Sequence, residues 1–258
     1  MKALLIDGLN IVRRIHAAMA GRYREDAEGK TEHLDTDIDG MVRSILGSIQ
    51  KALNHHQPSH GLIVFENSGR NWRHRIYPAY KQNRPPVPTE IDVVLNRLTE
   101  RMETIGLTSF SLLGYEADDV IATMAIKIAR HQGNVTILSS DRNYCQLLDA
   151  NIRIYDHFGQ RYLTADLVQD KFGVSPEDLP DLLALAGDSS LNIPGIHSIG
   201  KRTAARLIHE YGKLEHILDA SENIPGKLGS KLFSGKEALA VLLNHGQRTS
   251  LIYIYSSK

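Results

Sequence analysis

What the chain has little of narrows it first. Cys145 is the only cysteine among 258 residues, so an intramolecular disulfide and a cysteine-built zinc site are both excluded, and a reducing compartment suits the chain. No apolar run approaches the ~18 residues of a membrane span. The N-terminal run Ala3 to Ile6 is too short for a signal-peptide core. The expectation is a cytoplasmic protein with no membrane partner. A surplus of one charge sign is also missing, because 30 basic side chains balance 30 acidic ones. A chain that binds a polyanion is often basic overall, so the balance counts mildly against that class, unless an acidic site offsets a separate basic surface. There is no internal repeat and no low-complexity tract, and nothing marks an interface between copies, so a monomer is expected. What is present is enough apolar sequence, 42%, for one large or two small domains with a real core.

Apolar patterning predicts strands alternating with helices over residues 1–164. Ala3 to Ile6 reads as a strand ending at Asp7, Leu62 to Phe65 as one ending at Glu66, and Val135 to Leu138 as one ending near Asp141. Thr108 to Leu113 and, more weakly, Ile152 to Tyr155 complete the set. Helical spacing runs through Ile38, Met41, Val42, Ile45, Ile49 and Leu53. It returns through Ile91, Val94, Leu95, Leu98, Met102 and Ile105. It appears again through Val120, Ile121, Met124, Ala125 and Ile128, in a helix starting near Glu116. Gly21 to Asp37, charged and almost without apolar residues, reads as a mobile surface loop. The alternation predicts an α/β fold with a parallel twisted sheet flanked by helices. Residues 165–258 read as a helical subdomain. There Pro180 opens a helix that Gly187 closes, and Ala204, Leu207, Ile208 and Tyr211 give one buried stripe to Lys201–Tyr211.

In such sheets, ligands gather beyond the carboxyl ends of the strands, where this reading puts Asp7, Glu66 and Asp141. Taken singly, each acid has a plain structural explanation: Asp118 and Asp119 suit the positive end of a helix, Asp141 could cap one, and Asp7 could be a turn residue. Jointly, three strand-end acids and Glu116-Ala-Asp118-Asp119 suggest a metal site. Two carboxylates ~4 Å apart repel by about 4 kcal/mol at an effective dielectric of 20, and a cation relieves that cost. Paired divalent ions suit phosphodiester hydrolysis, and oxygen ligands suit Mg²⁺.

Two further segments suggest a polyanion. Gly195-Ile-His-Ser-Ile-Gly200-Lys201 resembles the start of a P-loop, but Arg202 stands where Ser or Thr is required and no strand precedes it, so no nucleotide cofactor is expected. The better reading is a helix–hairpin–helix whose glycines let backbone N–H groups approach a phosphate, with Lys201 and Arg202 adding charge; an ordinary αα-hairpin remains the alternative. Between Asn67 and Thr89, Trp72, Arg73, Arg75, Tyr77, Tyr80, Lys81 and Arg84 interleave bases with aromatics. That pattern suits single-stranded nucleic acid, the alternative being a solvated loop with one buried Trp. Pro85, Pro86 and Pro88 forbid a continuous helix there.

Leu5-Ile-Asp-Gly8, Val64-Phe-Glu66, Tyr80-Lys-Gln-Asn-Arg-Pro-Pro86, Gly114-Tyr-Glu-Ala-Asp-Asp119, Leu138-Ser-Ser-Asp-Arg-Asn143 and Gly187-Asp-Ser-Ser-Leu-Asn-Ile-Pro-Gly195 occur in that order. As an ordered set they resemble the 5′-nuclease family, which includes the nuclease domain of bacterial DNA polymerase I, the phage flap endonucleases and their eukaryotic relatives. The resemblance covers nearly the whole chain and no polymerase. It implies a PIN-like catalytic domain over 1–164, a helical arch at about 67–92, and a helix–hairpin–helix DNA-binding subdomain over 165–258. The activity implied is magnesium-dependent, structure-specific cleavage of 5′ flaps at junctions of single and double strands, with 5′→3′ exonuclease capacity.

Carried over residue by residue, the resemblance gives Asp7, Glu66, Glu116, Asp118, Asp119 and Asp141 as catalytic acids, with Lys81 and Arg84 as the basic pair of the arch. Asp118, Asp119, Asp141 and Asp188 would hold Mg²⁺, with Mn²⁺ as a substitute and a second ion held mainly through water and substrate. A K⁺ ion would rest on the carbonyls of Leu185, Ala186, Pro194, Ile196 and Ile199. Ser198, Ile199, Gly200, Lys201, Arg202 and Thr203 would touch duplex DNA, and Arg73 and Tyr80 the flap. The chain departs from the family pattern at Glu66, Asn143 and Leu191, each of which stands where the family usually has Asp. Loss of acid at Asn143 and Leu191 thins the second metal site and motivates a rival reading, a branched-DNA binder with little catalysis. A nuclease acting on RNA is a third, which the duplex-binding hairpin argues against.

Overall fold

The computed structural model describes residues 1–25, 37–67 and 69–243. Packing of the backbone divides the chain into two compact units. The first is Met1–Asn67, Pro85–Asp141 and Tyr155–Arg161; the second is Ser68–Arg84, Arg142–Ile154 and Tyr162–Lys258. The chain thus passes between units several times, a different division from a single cut at 164.

Strand β1 (Lys2–Asp7) is buried from its second residue onward, because apolar side chains on both its faces meet helices. It pairs in parallel with β2 (His60–Val64) on one side and β4 (Asn134–Leu138) on the other, and β2 pairs in parallel with β3 (Thr108–Phe110). With β5 (Ile152–Asp156) and β6 (Arg161–Leu163) the sheet order is β3-β2-β1-β4-β5-β6. The parallel sheet expected from the alternation is present. Strand β3 is shorter than the Thr108 to Leu113 run, and β6 is an element that hydropathy did not single out.

Helices α1 (Gly8–Glu25), α2 (Ile38–His56) and α4 (Thr89–Arg101) bury Ile11, Val12, Ile15, Met41, Val42, Ile45, Ile49, Ile91, Val94 and Leu98 against Leu4, Ile6 and Ile63. Each such side chain contributes roughly 1.5–3 kcal/mol. Asp37 caps α2 by accepting from the Gly40 N–H at 2.7 Å, and Pro88 sets the start of α4. Helix α5 (Ala117–Arg130) packs against β1 and β4. The loop expected from Gly21 to Asp37 needs correction at its start: Gly21–Glu25 continues α1, because a helix already nucleated extends at the cost of one residue at a time and needs no apolar stripe to do so. Residues 26–36 lie outside the described residues.

In the second unit α3 (Trp72–Ile76) precedes α6 (Ala165–Phe172), α7 (Leu179–Ala186), α8 (Lys201–Tyr211), α9 (Leu214–Asp219) and α10 (Gly226–Leu243). Helices α7 and α8 pack together through Leu182, Leu185, Ala204, Leu207 and Ile208. No described helix is long and apolar enough to cross a membrane.

Candidate active site

The parallel register aligns Asp7 with Val64 and Ile6 with Leu138, so the carboxyl ends of β1, β2 and β4 lie side by side. Asp7 ends β1, Glu66 follows β2 by two residues and Asp141 follows β4 by three. A crossover helix between parallel strands starts where the preceding strand left off, so the N-terminus of α5, with Glu116, Asp118 and Asp119, belongs to the same edge.

Asp7 is 7% exposed and bound on both oxygens. Oδ1 accepts from the Asn10 N–H at 3.1 Å, and Oδ2 accepts from Ser139 Oγ at 2.9 Å. Ser139 Oγ in turn accepts from the Asp141 N–H at 3.1 Å, and Asn10 Oδ1 accepts from the N–H and hydroxyl of Ser140 at 3.2 and 3.1 Å. Two strand ends are therefore stitched together through side chains. Burial first, and then the charges of Asp141 and Glu66, push the Asp7 carboxyl up to about 6 from 3.8, against the opposing bonds from Asn10 and Ser139. The charges of Asp141 and Glu66 are thus felt at Asp7. Asp119 Oδ2 accepts from the Glu116 N–H at 3.0 Å, which sets the first turn of α5; Glu116 is 3% exposed and Asp118 is half-buried.

Among the described residues no three His, Cys, Asp or Glu side chains are grouped closely enough to close round an ion. The donor chemistry nevertheless fits a hard divalent cation, since the acids at this edge offer oxygen and burial, with the charges of Asp141 and Glu66 added, makes the Asp7 carboxylate costly to hold without a cation. Sequence reading missed Asn10, Ser139 and Ser140 as parts of the site. The Asp7-Gly-Leu-Asn10 spacing, which lets the carboxylate take the N–H three residues on, could have found Asn10.

Asp188 belongs to the second unit. Its Oδ1 accepts from the N–H and hydroxyl of Ser190 at 2.8 and 2.7 Å, capping a 3₁₀ turn over Ser189–Leu191. Leu191 is 7% exposed, so an apolar side chain is buried where an acid was expected by family pattern. The segment 77–84 is tied to this same turn. The Lys81 N–H donates to the Leu191 carbonyl at 3.0 Å, Asn83 Nδ2 to Ser189 at 2.6 Å, Arg84 Nε to Ser190 at 2.9 Å, and Asn192 Nδ2 to the Ala79 carbonyl at 2.6 Å. A cleft of ≈ 510 Å³ lies here, lined in part by Tyr77, Asn83, Asp188, Asn192, Pro194 and Lys201.

Lys81 and Arg84 keep solvent access, half-buried and exposed respectively. Arg73 and Tyr80 do not: each is 2% exposed, and the Arg73 guanidinium lies 4.4 Å from the Trp72 ring centre and 5.9 Å from that of Tyr80. The expected contact of these two with a strand has no exposed side chain behind it here.

The hairpin between α7 and α8 is closed by paired bonds between Asp188 and Ile193 at 2.8 and 2.9 Å and by the Ile196 N–H on the Leu185 carbonyl at 2.8 Å. Gly195, at φ +64, packs so tightly on Gly187 that a Cβ would overlap its backbone nitrogen. Of the five expected carbonyls, those of Leu185 and Ile196 each already accept one N–H, from Ile196 and from Ile199, leaving a second lone pair apiece. Ser198, Gly200, Lys201 and Arg202 are exposed, Thr203 is half-buried and Ile199 is buried. Gly200 at the start of α8 makes no side-chain cap, so the first-turn N–H groups are left for another acceptor, as an anion site would require.

Comparison with known proteins agrees with this geometry. The 5′-3′ exonuclease N-terminal, resolvase-like domain matches residues 2–173, and the 5′-3′ exonuclease C-terminal SAM fold matches residues 174–244. The chain belongs to the 5′-3′ exonuclease family and is a nuclease. It is similar to flap endonuclease Xni of Photorhabdus laumondii, at 39% identity over 236 residues, 91% of this chain and 86% of the relative. It is also similar to the protein of that name from Photobacterium profundum, at 37% over 237 residues, with 91% and 86% covered. The fold matches the T5 5′-exonuclease with bound zinc at a TM-score of 0.78 and 20% identity, over 93% of this chain and 87% of that one. It also matches a bacteriophage T5 flap endonuclease complex with DNA and metal ions at a TM-score of 0.70, with the same identity and coverage.

Proposed function

We propose that this nuclease cleaves DNA at the junction of a 5′ single-stranded flap with duplex, in a reaction that depends on Mg²⁺. The observation that carries the reading is the placing of Asp7, Glu66 and Asp141 at or just beyond the carboxyl ends of three adjacent parallel strands, at an edge shared with the start of α5. Asp118, Asp119 and Asp141 are the residues that would hold divalent ions, supported by Asp7, Glu66 and Glu116. Bound there, such ions would activate water and stabilise the leaving oxygen. Asn10 and Ser139 keep Asp7 oriented. Lys81 and Arg84 would attract the flap, and Ser198 to Thr203 would grip duplex phosphates, so recognition would follow DNA structure rather than sequence. A K⁺ ion on the hairpin carbonyls is part of the same proposal.

A second reading has its own observation. Asp188 is engaged with Ser190, and Leu191 is buried, so the second unit offers a reduced acid set. On that reading the chain binds branched DNA and cleaves it feebly. Single-turnover cleavage of an end-labelled 5′-flap duplex decides between them, run with Mg²⁺, with EDTA and with the Asp118→Asn protein. Cleavage near the junction that is lost in both controls supports the nuclease; tight binding with no product overturns it in favour of the binder.

A further inference from the structure

Two lysines share one aromatic ring on the second unit, and neither forms an ion pair among the described residues. Lys171 and Phe172 close α6, and Lys201 opens α8. The Lys171 ammonium lies 5.6 Å and the Lys201 ammonium 5.2 Å from the centre of the same Phe172 ring. Both fall within the ~6 Å over which an aromatic face attracts a cation. The frame behind them is fixed: α6 packs on α8, and His209 Nε2 lies 2.7 Å from the Gly173 carbonyl oxygen. Partial burial first, and then the charges of Arg142 and Lys201, lower the Lys171 pKa from its ordinary value. Arg142, Lys171 and Lys201 are all exposed, and none forms an ion pair among the described residues. Like charges gathered in this way repel, and one ring offsets only part of that repulsion. An oxyanion set among them would neutralise the remainder.

We propose that Lys171 and Lys201, which share the Phe172 ring, form with Arg142 a second phosphate-binding site that takes backbone phosphates of duplex DNA. The site rests on the reading of the chain as a DNA-binding nuclease and extends the footprint beyond the hairpin, with Lys201 serving both. A guanidinium can take two oxygens of one phosphate side by side, whereas the two ammonium groups act as point charges. Contacts of this kind, remote from the bond that breaks, bind substrate and transition state alike, so they lower KM and leave kcat unchanged.

The test is the affinity for a blunt duplex without a flap, measured by fluorescence anisotropy in EDTA across a range of KCl, for the wild type, Lys171→Ala, Lys171→Arg and Arg142→Ala. Thermal unfolding checks that each variant folds. Losing one phosphate contact should flatten the plot of log affinity against log salt by about 0.9. Lys171→Ala and Arg142→Ala should each show that change with weaker binding, Lys171→Arg should retain the wild-type slope, and flap cleavage at saturating substrate should keep its kcat. Wild-type slope and affinity in both alanine variants would overturn the site while leaving the nuclease reading intact. A wild type that binds no DNA would overturn both. A further arm adds inorganic phosphate: a Lys171-dependent phosphate affinity with an unchanged duplex slope would mean that the site takes the free anion, and would refute the duplex assignment.

Discussion

Replacing Asp7 by Asn should make the metal-free protein more stable while abolishing cleavage. The wild-type carboxyl is 7% exposed, and its pKa is pushed up to about 6 from 3.8 by burial and by its neighbours Asp141 and Glu66. The sign follows from linkage. Below pH 3.8 the group is protonated both folded and unfolded and costs nothing. As pH rises, the unfolded chain loses its proton first, the folded state lags, and the penalty is complete above about 6. At about 1.4 kcal/mol per pKa unit the penalty comes to ~3 kcal/mol. The amide keeps an acceptor for the Asn10 N–H but turns an N–H towards the Ser139 hydroxyl, at a cost of about 1 kcal/mol. The net gain expected at pH 8 is ~2 kcal/mol. Urea denaturation in EDTA measures it. The gain should vanish near pH 4, and saturating Mg²⁺ should narrow or reverse the difference, because on the proposed function the wild type would hold the ion more tightly than the variant. A variant less stable than the wild type at pH 8, or a gain that persists unchanged at pH 4, would refute the assignment of charge crowding at this edge.

Other expectations follow from single contacts. Asp118→Asn should lose single-turnover cleavage by at least ~10³-fold with an unchanged melting temperature, as befits removal of an ion-holding group from a preorganised site. Gly195→Ala forces a side chain into the left-handed region and into Gly187, and should destabilise by about 3 kcal/mol in chemical denaturation. The His56 pKa is held down to about 4 from 6.5 by burial and by the charges of His55, Lys2 and His157. The neutral ring is thus the form the fold favours, and stability should fall as pH drops from 6.5 towards 4. His56→Gln should flatten that part of a melting-temperature profile. Arg73→Ala should cost stability rather than flap affinity, on the order of 3 kcal/mol, since the guanidinium fills a buried slot between Trp72 and Tyr80.

How much was legible depends on whether a feature is local. Helix α8 was read with its observed bounds, Lys201–Tyr211, because its apolar stripe and the Gly212 that follows are local signals. The strand-end acids were legible for the same reason: an apolar run that stops at a carboxylate is visible in one dimension. Helix α1 was not, since its fully buried residues among those described, Ile11, Val12 and Ile15, lie near one end, and its far end, Gly21–Glu25, is charged sequence without an apolar stripe. The burial of Arg73 and Tyr80 was illegible as well. A base beside aromatics reads alike whether it faces a strand or stacks inward on Trp72, and only the neighbours decide.

The balanced charge misled for a physical reason. Net charge sets the far field of the whole chain, whereas binding and cleavage depend on fields within a Debye length, about 8–10 Å at ordinary salt. Here the acids at the strand ends, Asp7, Glu66, Glu116, Asp118, Asp119 and Asp141, lie in the first unit, while Arg142, Lys171, Lys201 and Arg202 lie in the second. Acids crowded in one place attract divalent cations, and bases crowded in another attract phosphates. The two crowds cancel in the sum without cancelling at either surface. A chain that must both hold metal against its own carboxylates and draw in a polyanion is served by neutrality of this segregated kind, and a total of zero is then no argument against a nucleic-acid substrate.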